Sequence, residues 1–199
     1  MRKLLPLLNA ATGLARVINV DSGGYEGAIE PSDFPALTLS LFRLREHSAS
    51  MATLALKHLA IEAPHVSFVN AHPGIVLTKN LEMVPGILGA VGRALAWLFG
   101  RWLATPLPES AERHLFLSTS TSYKPKAGEN IGVPLVQGLG IHEGVDGERG
   151  SGVYSVKWDC DGPGNQVIQL LTEYEKNGMM EQVWQHIVGE LERVEREFY

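Results

Sequence analysis

Two short runs of β-branched and apolar residues, Arg16-Val17-Ile18-Asn19-Val20 and Val66-Ser67-Phe68-Val69-Asn70-Ala71, flank a long stretch of helical character. Neither run alternates cleanly between apolar and polar residues. Each is therefore expected to be covered on both faces, as the strands of a parallel sheet are. Parallel neighbours need a long connection, and Arg45 to Ala60 provides one. It contains good helix formers and no Pro or Gly, with small residues at Ala49, Ala52 and Ala60 that let another element approach closely. The pattern predicts an α/β fold organised on a strand–helix–strand unit.

The rest of the chain extends that unit. Met1 to Asn9 reads as a short helix ending before Thr12-Gly13, and Asp21-Ser22-Gly23-Gly24-Tyr25-Glu26-Gly27 as a glycine-rich turn. That turn lies at the carboxyl end of the first strand, where open α/β sheets place their ligands. Ala28 to Leu44, with Pro31 and Pro35, is expected to be a loop. Thr105-Pro106-Leu107-Pro108-Glu109 has the cap, early proline and early acid of a helix start, and that helix should end near Ser120. Gly152 to Trp158 alternates as a third strand. Two amphipathic helices follow from Asn165, divided at Asn177-Gly178. The second carries an apolar stripe of Met180, Val183, Trp184, Ile187, Leu191, Val194 and Phe198.

Charge and composition narrow the function classes. The 199 residues are 45% hydrophobic and 20% charged, the balance of a globular protein with a real core. A net charge of −5 and the lack of a Lys/Arg cluster argue against nucleic acid as a partner. A single cysteine, Cys160, permits no internal disulfide framework and fits a reducing, cytoplasmic compartment. The apolar stretch from Met83 to Ala104 is broken by Arg93, Arg101 and four glycines, so it is expected not to span a membrane but to form an apolar lid or an interfacial helix. His142, Glu143, Asp146 and Glu148 match no cation-binding loop, and the remaining histidines lack ligand spacing, so no metal is expected.

Several motifs resemble those of the short-chain dehydrogenase/reductase family, between about Met1 and Trp158. His47-Ser48-Ala49-Ser50-Met51-Ala52 is similar in outline to the family's active-site helix, whose Tyr-x-x-x-Lys motif commonly reads Y-S-A-S-K-x-A, but His47 stands at the tyrosine position and Met51 at the lysine position. Val17-Ile18-Asn19-Val20-Asp21-Ser22 resembles the strand that ends in the catalytic serine, which puts Ser22 on that position. His72-Pro73-Gly74-Ile75-Val76-Leu77-Thr78 resembles the P-G-x-V-x-T segment that touches the nicotinamide end of the cofactor, so the resemblance assigns Pro73, Gly74, Val76 and Thr78 to cofactor contact. The Met83–Ala104 stretch falls where the family keeps its substrate loop, with Trp97, Phe99 and Trp102 as candidate lining. The wider pattern looks most like fungal members.

The resemblance implies a partial Rossmann-like parallel sheet lacking the N-terminal dinucleotide-binding half. Residues 1–160 would form the truncated domain and 161–199 a helical extension packed on it. No G-x-x-x-G-x-G turn, N-N-A-G strand end or acidic ribose-binding residue occurs in the chain. NAD(P) is thus implied by resemblance alone, and its binding by this chain is expected to be absent or weak. Chemically, histidine beside methionine is coherent as a lone acid/base with Ser22 as partner, because imidazole titrates near neutrality without a neighbouring cation. Methionine cannot hold a ribose. His47 is equally readable as a polar residue satisfied near a helix start, and Ser22 as a residue that turns the chain.

The expected function is that of an impaired oxidoreductase, of a kind used in fungal secondary metabolism, acting on a hydroxyl or carbonyl of a small apolar molecule. A non-redox isomerase, dehydratase or cyclase using His47 is one alternative, and a catalytically silent partner of a full-length relative is another. The missing neighbour strand would leave one edge of Val17–Val20 unpaired, so a dimer or a partner chain covering that edge is expected.

Overall fold

The computed structural model describes residues 2–76 and 85–198. Three strands, β1 (Arg16–Val20), β2 (Ser67–Ala71) and β3 (Val153–Val156), form a parallel sheet in the order β1-β2-β3. Val17 lies opposite Phe68, and Phe68 opposite Val153. The architecture is α/β and consistent with a partial Rossmann-like fold.

The helices are α1 (Leu5–Asn9), α2 (Leu41–Glu62), α3 (Gly86–Leu103), α4 (Leu107–Thr119), α5 (Asn165–Lys176) and α6 (Met179–Phe198). α2 starts four residues before the expected Arg45, because nothing after Pro35 interrupts a helix and Ser40 is extended at its N-cap. α4 runs from Leu107 with Pro106 at its N-cap, and the Thr105 hydroxyl does not cap it. The stretch expected to be a lid or interfacial helix contains α3, with Ile87, Trp97 and Trp102 each about four-fifths exposed. No described helix is long and apolar enough to cross a membrane.

Apolar side chains on both faces of the strands place a core on each face of the sheet. On one face Val17, Phe68 and Val153 meet Leu54, Leu56 and Leu59 of α2, together with Leu171, Met179 and Val183 of the C-terminal helices. On the other, Val69, Ala71, Tyr154 and Val156 meet Leu117 of α4 and Tyr123. The completely buried pattern of β2 is what both-face coverage requires. Arg16 clamps this second layer, donating from its guanidinium to the carbonyls of Leu117 and Tyr123. Burial pushes its pKa down and the Tyr154 phenol up to about 12.

The two C-terminal helices break at Gly178, whose φ of +81° is easily reached only by glycine. They pack on α2, and the Tyr174 hydroxyl accepts the Ile29 N–H at 2.9 Å. The apolar stripe of α6 divides in use. Val183 is fully buried, and Met180, Trp184 and Ile187 are partly so, whereas Leu191, Val194 and Phe198 project outward. Among the described residues β1 pairs only with β2, so its other edge is open.

Candidate functional site

The turn after β1 is pressed onto the carboxyl edge of the sheet. A Cβ on Gly23 would stand 2.1 Å from the Asn70 carbonyl oxygen and 2.8 Å from that of Val156, so only glycine fits. The Gly24 N–H donates to Ser155 Oγ at 2.6 Å, the Tyr25 N–H to the Ser22 carbonyl, and the Gly27 N–H to Ser50 Oγ and the Glu46 carbonyl. A dinucleotide pyrophosphate needs a ring of free amides with room above them. Here the amides of Gly24, Tyr25 and Gly27 are spent inside the fold, so this turn does not fit that group.

Beneath the turn lies a buried polar chain. Asn19 Nδ2 donates to Asn70 Oδ1 at 2.9 Å, Asn70 Nδ2 to Thr53 Oγ1 at 3.0 Å, and Thr53 Oγ1 to Glu26 Oε1 at 2.7 Å. Ser155 Oγ donates to the same carboxyl oxygen. Glu26 is only 6% exposed and its Oε2 has no partner. With no cation beside it, burial pushes the carboxyl above the usual range, against the pull of the Ser155 and Thr53 hydroxyls.

A cavity of about 380 Å³ opens where the loops after all three strands converge, bounded by Tyr25, His72, Gly74 and Trp158 together with the starts of α2 and α4 and the end of α3. This is the place where parallel sheets present ligands. The Arg45 guanidinium lies 3.5 Å above the Tyr25 ring centroid. Its Nη2 approaches His72 Nε2 at 3.4 Å, while His72 Nδ1 lies 3.2 Å from the Asp21 carbonyl. Arginine can only donate, so His72 is neutral, accepts on Nε2 and carries its proton on Nδ1. Burial lowers the His72 pKa, and the Arg45 charge lowers it further. Gly74, at φ +78°, sits where a Cβ would meet Thr105 Oγ1 and Trp158 Cβ, which closes one wall. The Thr105 N–H ties to the Ile75 carbonyl at 2.8 Å. A larger open depression of about 860 Å³ lies beside α4, lined in part by Phe116, Tyr123 and His142.

The motif residues are distributed unevenly about this cavity. His47 is 1% exposed, with Nδ1 accepting the Glu30 N–H at 3.1 Å and Nε2 donating to the Phe34 carbonyl at 3.0 Å. Both nitrogens are thus engaged in holding the loop before α2. Met51 packs against the core under α2. Ser22 is half-buried in the turn, and its hydroxyl makes no hydrogen bond among the described residues. Gly74 lines the cavity and Pro73 adjoins it; Val76 lies two residues beyond Gly74, and Thr78 lies outside the described residues. Of the aromatic trio Trp102 lines the cavity; Trp97 and Phe99 do not.

Sequence reasoning passed over Arg45 and His72. His72 belongs to no ligand spacing, and the signal for Arg45 was only its place one turn from the start of the long helix. Tyr25, whose hydroxyl has no hydrogen-bond partner among the described residues, also lines the cavity. Burial pushes the Cys160 thiol above its usual range, and the carboxylates of Asp159 and Asp161 add to that shift.

The chain is similar to fungal oxidoreductases. It is 35% identical to oxidoreductase AN1596 of Emericella nidulans, across 94% of this chain and 56% of the relative. It is 29% identical to oxidoreductase andH of Emericella variicolor, across 97% of this chain and 57% of the relative. It is 28% identical to the NmrA-like family domain-containing oxidoreductase notO of an Aspergillus species, across 95% of this chain and 52% of the relative. The chain therefore spans about half the length of the curated relatives it matches. No family model and no solved structure matches it.

Proposed function

We propose that this chain supplies the substrate-facing part of an oxidoreductase of the short-chain dehydrogenase/reductase type, acting on a hydroxyl or carbonyl of a small apolar molecule. The observation that carries the reading is the cavity at the carboxyl ends of three parallel strands. It combines apolar walls (Ile75, Trp102, Trp158) with convergent polar groups (Tyr25, Arg45, His72). The similarity to fungal oxidoreductases supports the reaction class. NAD(P) is the cofactor that the relatives' class and the motif resemblance suggest. The packed glycine turn does not accept its pyrophosphate.

Within this reading His47 and Met51 hold the fold rather than move protons, and the side chains that meet the substrate are Tyr25, Arg45 and His72. The Tyr25 hydroxyl and the Arg45 N–H groups are donors suited to a carbonyl oxygen. A catalytically silent partner is the second reading, favoured by the burial of His47 and the packing of Met51 against the core.

The test is a titration with 2-decalone, a rigid bicyclic ketone, followed by tryptophan fluorescence. A saturable change that is weakened by Tyr25→Ala, diminished in Trp158→Phe and unaffected by His142→Ala supports the reading. No saturable change, or one indifferent to both cavity variants, refutes it and favours the silent partner.

A further inference from the structure

The cavity contains a cation that no described residue of the chain neutralises. Arg45 makes no ion pair among the described residues, and its only polar partner is the neutral His72. The other charged lining residue, Glu109, is already neutralised: its carboxylate pairs with Arg113, which donates to the Trp158 carbonyl at 2.8 Å and lies over the Trp158 ring. Among the described residues Arg45 therefore stands as the unmatched charge of a half-enclosed space walled by Ile75, Trp102 and Trp158. Its orientation is fixed from two sides, by the Tyr25 ring 3.5 Å beneath it and by the His72 acceptor. Tyr25 and His72 also meet edge to face with centroids 5.0 Å apart, so the three side chains brace one another. One of five guanidinium N–H groups is used, and the remainder form the planar fork that matches a carboxylate.

We propose that the cavity selects apolar molecules that carry a carboxylate, with Arg45 as the counter-ion and the two tryptophans as the apolar walls. This rests on the reading of the cavity as the substrate site and narrows its substrate class. His72 is a positioning residue in this arrangement: its neutral ring accepts from Arg45 and adds no second positive charge. A neutral ketone would leave the guanidinium facing an uncharged acceptor, and a second cation would be repelled. The alternative is that Arg45 serves only to stack on Tyr25, and the experiment separates the two.

The experiment compares 1-naphthoate with 1-naphthalenemethanol, a neutral analogue of the same ring and reach, by isothermal titration calorimetry on the whole chain. Naphthoate should bind more tightly than the alcohol by roughly 10- to 100-fold, the range of a charge-assisted hydrogen bond. Arg45→Gln should erase that preference while leaving the alcohol's affinity within about threefold. Arg45→Lys should restore part of it, since it keeps the charge and loses the planar fork. Arg43→Gln, an exposed change one turn-fraction away, should leave it intact, which excludes a general surface-charge effect. Circular dichroism of each variant reports whether the fold is kept. Equal binding of both probes, or a preference that survives Arg45→Gln, overturns the proposal while leaving the substrate-site reading standing. Silence of both probes overturns the two together.

Discussion

Replacing His47 by alanine is expected to destabilise the chain severely. The imidazole is buried beneath the loop before α2 and satisfies two backbone groups, the Glu30 N–H and the Phe34 carbonyl. Its removal leaves both without that partner, at about 1–3 kcal/mol each when water cannot replace it. It also opens a void that the surroundings fill only in part. Partial relaxation of the loop toward solvent reduces the sum, so about 3–5 kcal/mol is the expected loss. For a chain of this size that corresponds to a fall in Tm of roughly 6–20 °C. Urea unfolding followed by circular dichroism measures the free energy, and amide exchange at Glu30 reports the local contact. Glu46→Ala, on the exposed side of the same helix, should stay within about 0.5 kcal/mol of the parent. A His47→Ala chain within about 1 kcal/mol of the parent, with the Glu30 amide equally protected, would refute the assignment of His47 to the fold.

Three further outcomes follow from the geometry. The Glu26 carboxyl is raised above its ordinary 4.5 by burial, so the folded state holds a proton that the unfolded state releases, and stability is lost as pH rises from about 4.5 through the folded pKa; the unfolding free energy of the parent should fall relative to that of Glu26→Gln over that window, and parallel profiles would contradict it. The His72 imidazole should titrate below 6.5 by NMR, and Arg45→Gln should move its midpoint upward without restoring the ordinary value, because burial is the larger cause; an unmoved midpoint would remove Arg45 as its neighbour in solution. The open edge of β1 lies beside an apolar groove lined in part by Leu56, Leu59, Trp184, Ile187 and Leu191, so light scattering after size exclusion should show a dimer or larger species, whereas a monodisperse monomer with slow exchange throughout Val17–Val20 would show the edge closed by the chain itself.

The fold was legible in the sequence where burial on two faces leaves a mark. The β-branched and apolar runs at Val17–Val20 and Phe68–Ala71, which do not alternate cleanly with polar residues, announced parallel strands, and Gly178 marked the break between the last two helices. The start of α2 was less clear, because Leu41 to Leu44 carry no cap or proline to distinguish loop from helix. The site was harder to read. Motif positions drew attention to His47 and Met51, whose side chains the fold turns inward, because a motif fixes spacing along a helix and not which face meets the sheet. Arg45 lies only two residues before His47, yet that step rotates it to the rim of the cavity. Its role depends on Tyr25 and His72, which arrive from two other strand ends, and on the pairing of Glu109 with Arg113. Such a charge imbalance exists only in three dimensions.

In the proposed function, ligands enter at the carboxyl ends of the three strands. The most direct measurement is an amide chemical-shift map of the labelled chain titrated with 2-decalone. The largest shifts should gather at Tyr25, Gly74, Ile75 and Thr105, around the cavity. Shifts confined to Gly138–His142 beside α4, or to the groove between α2 and α6, would contradict it.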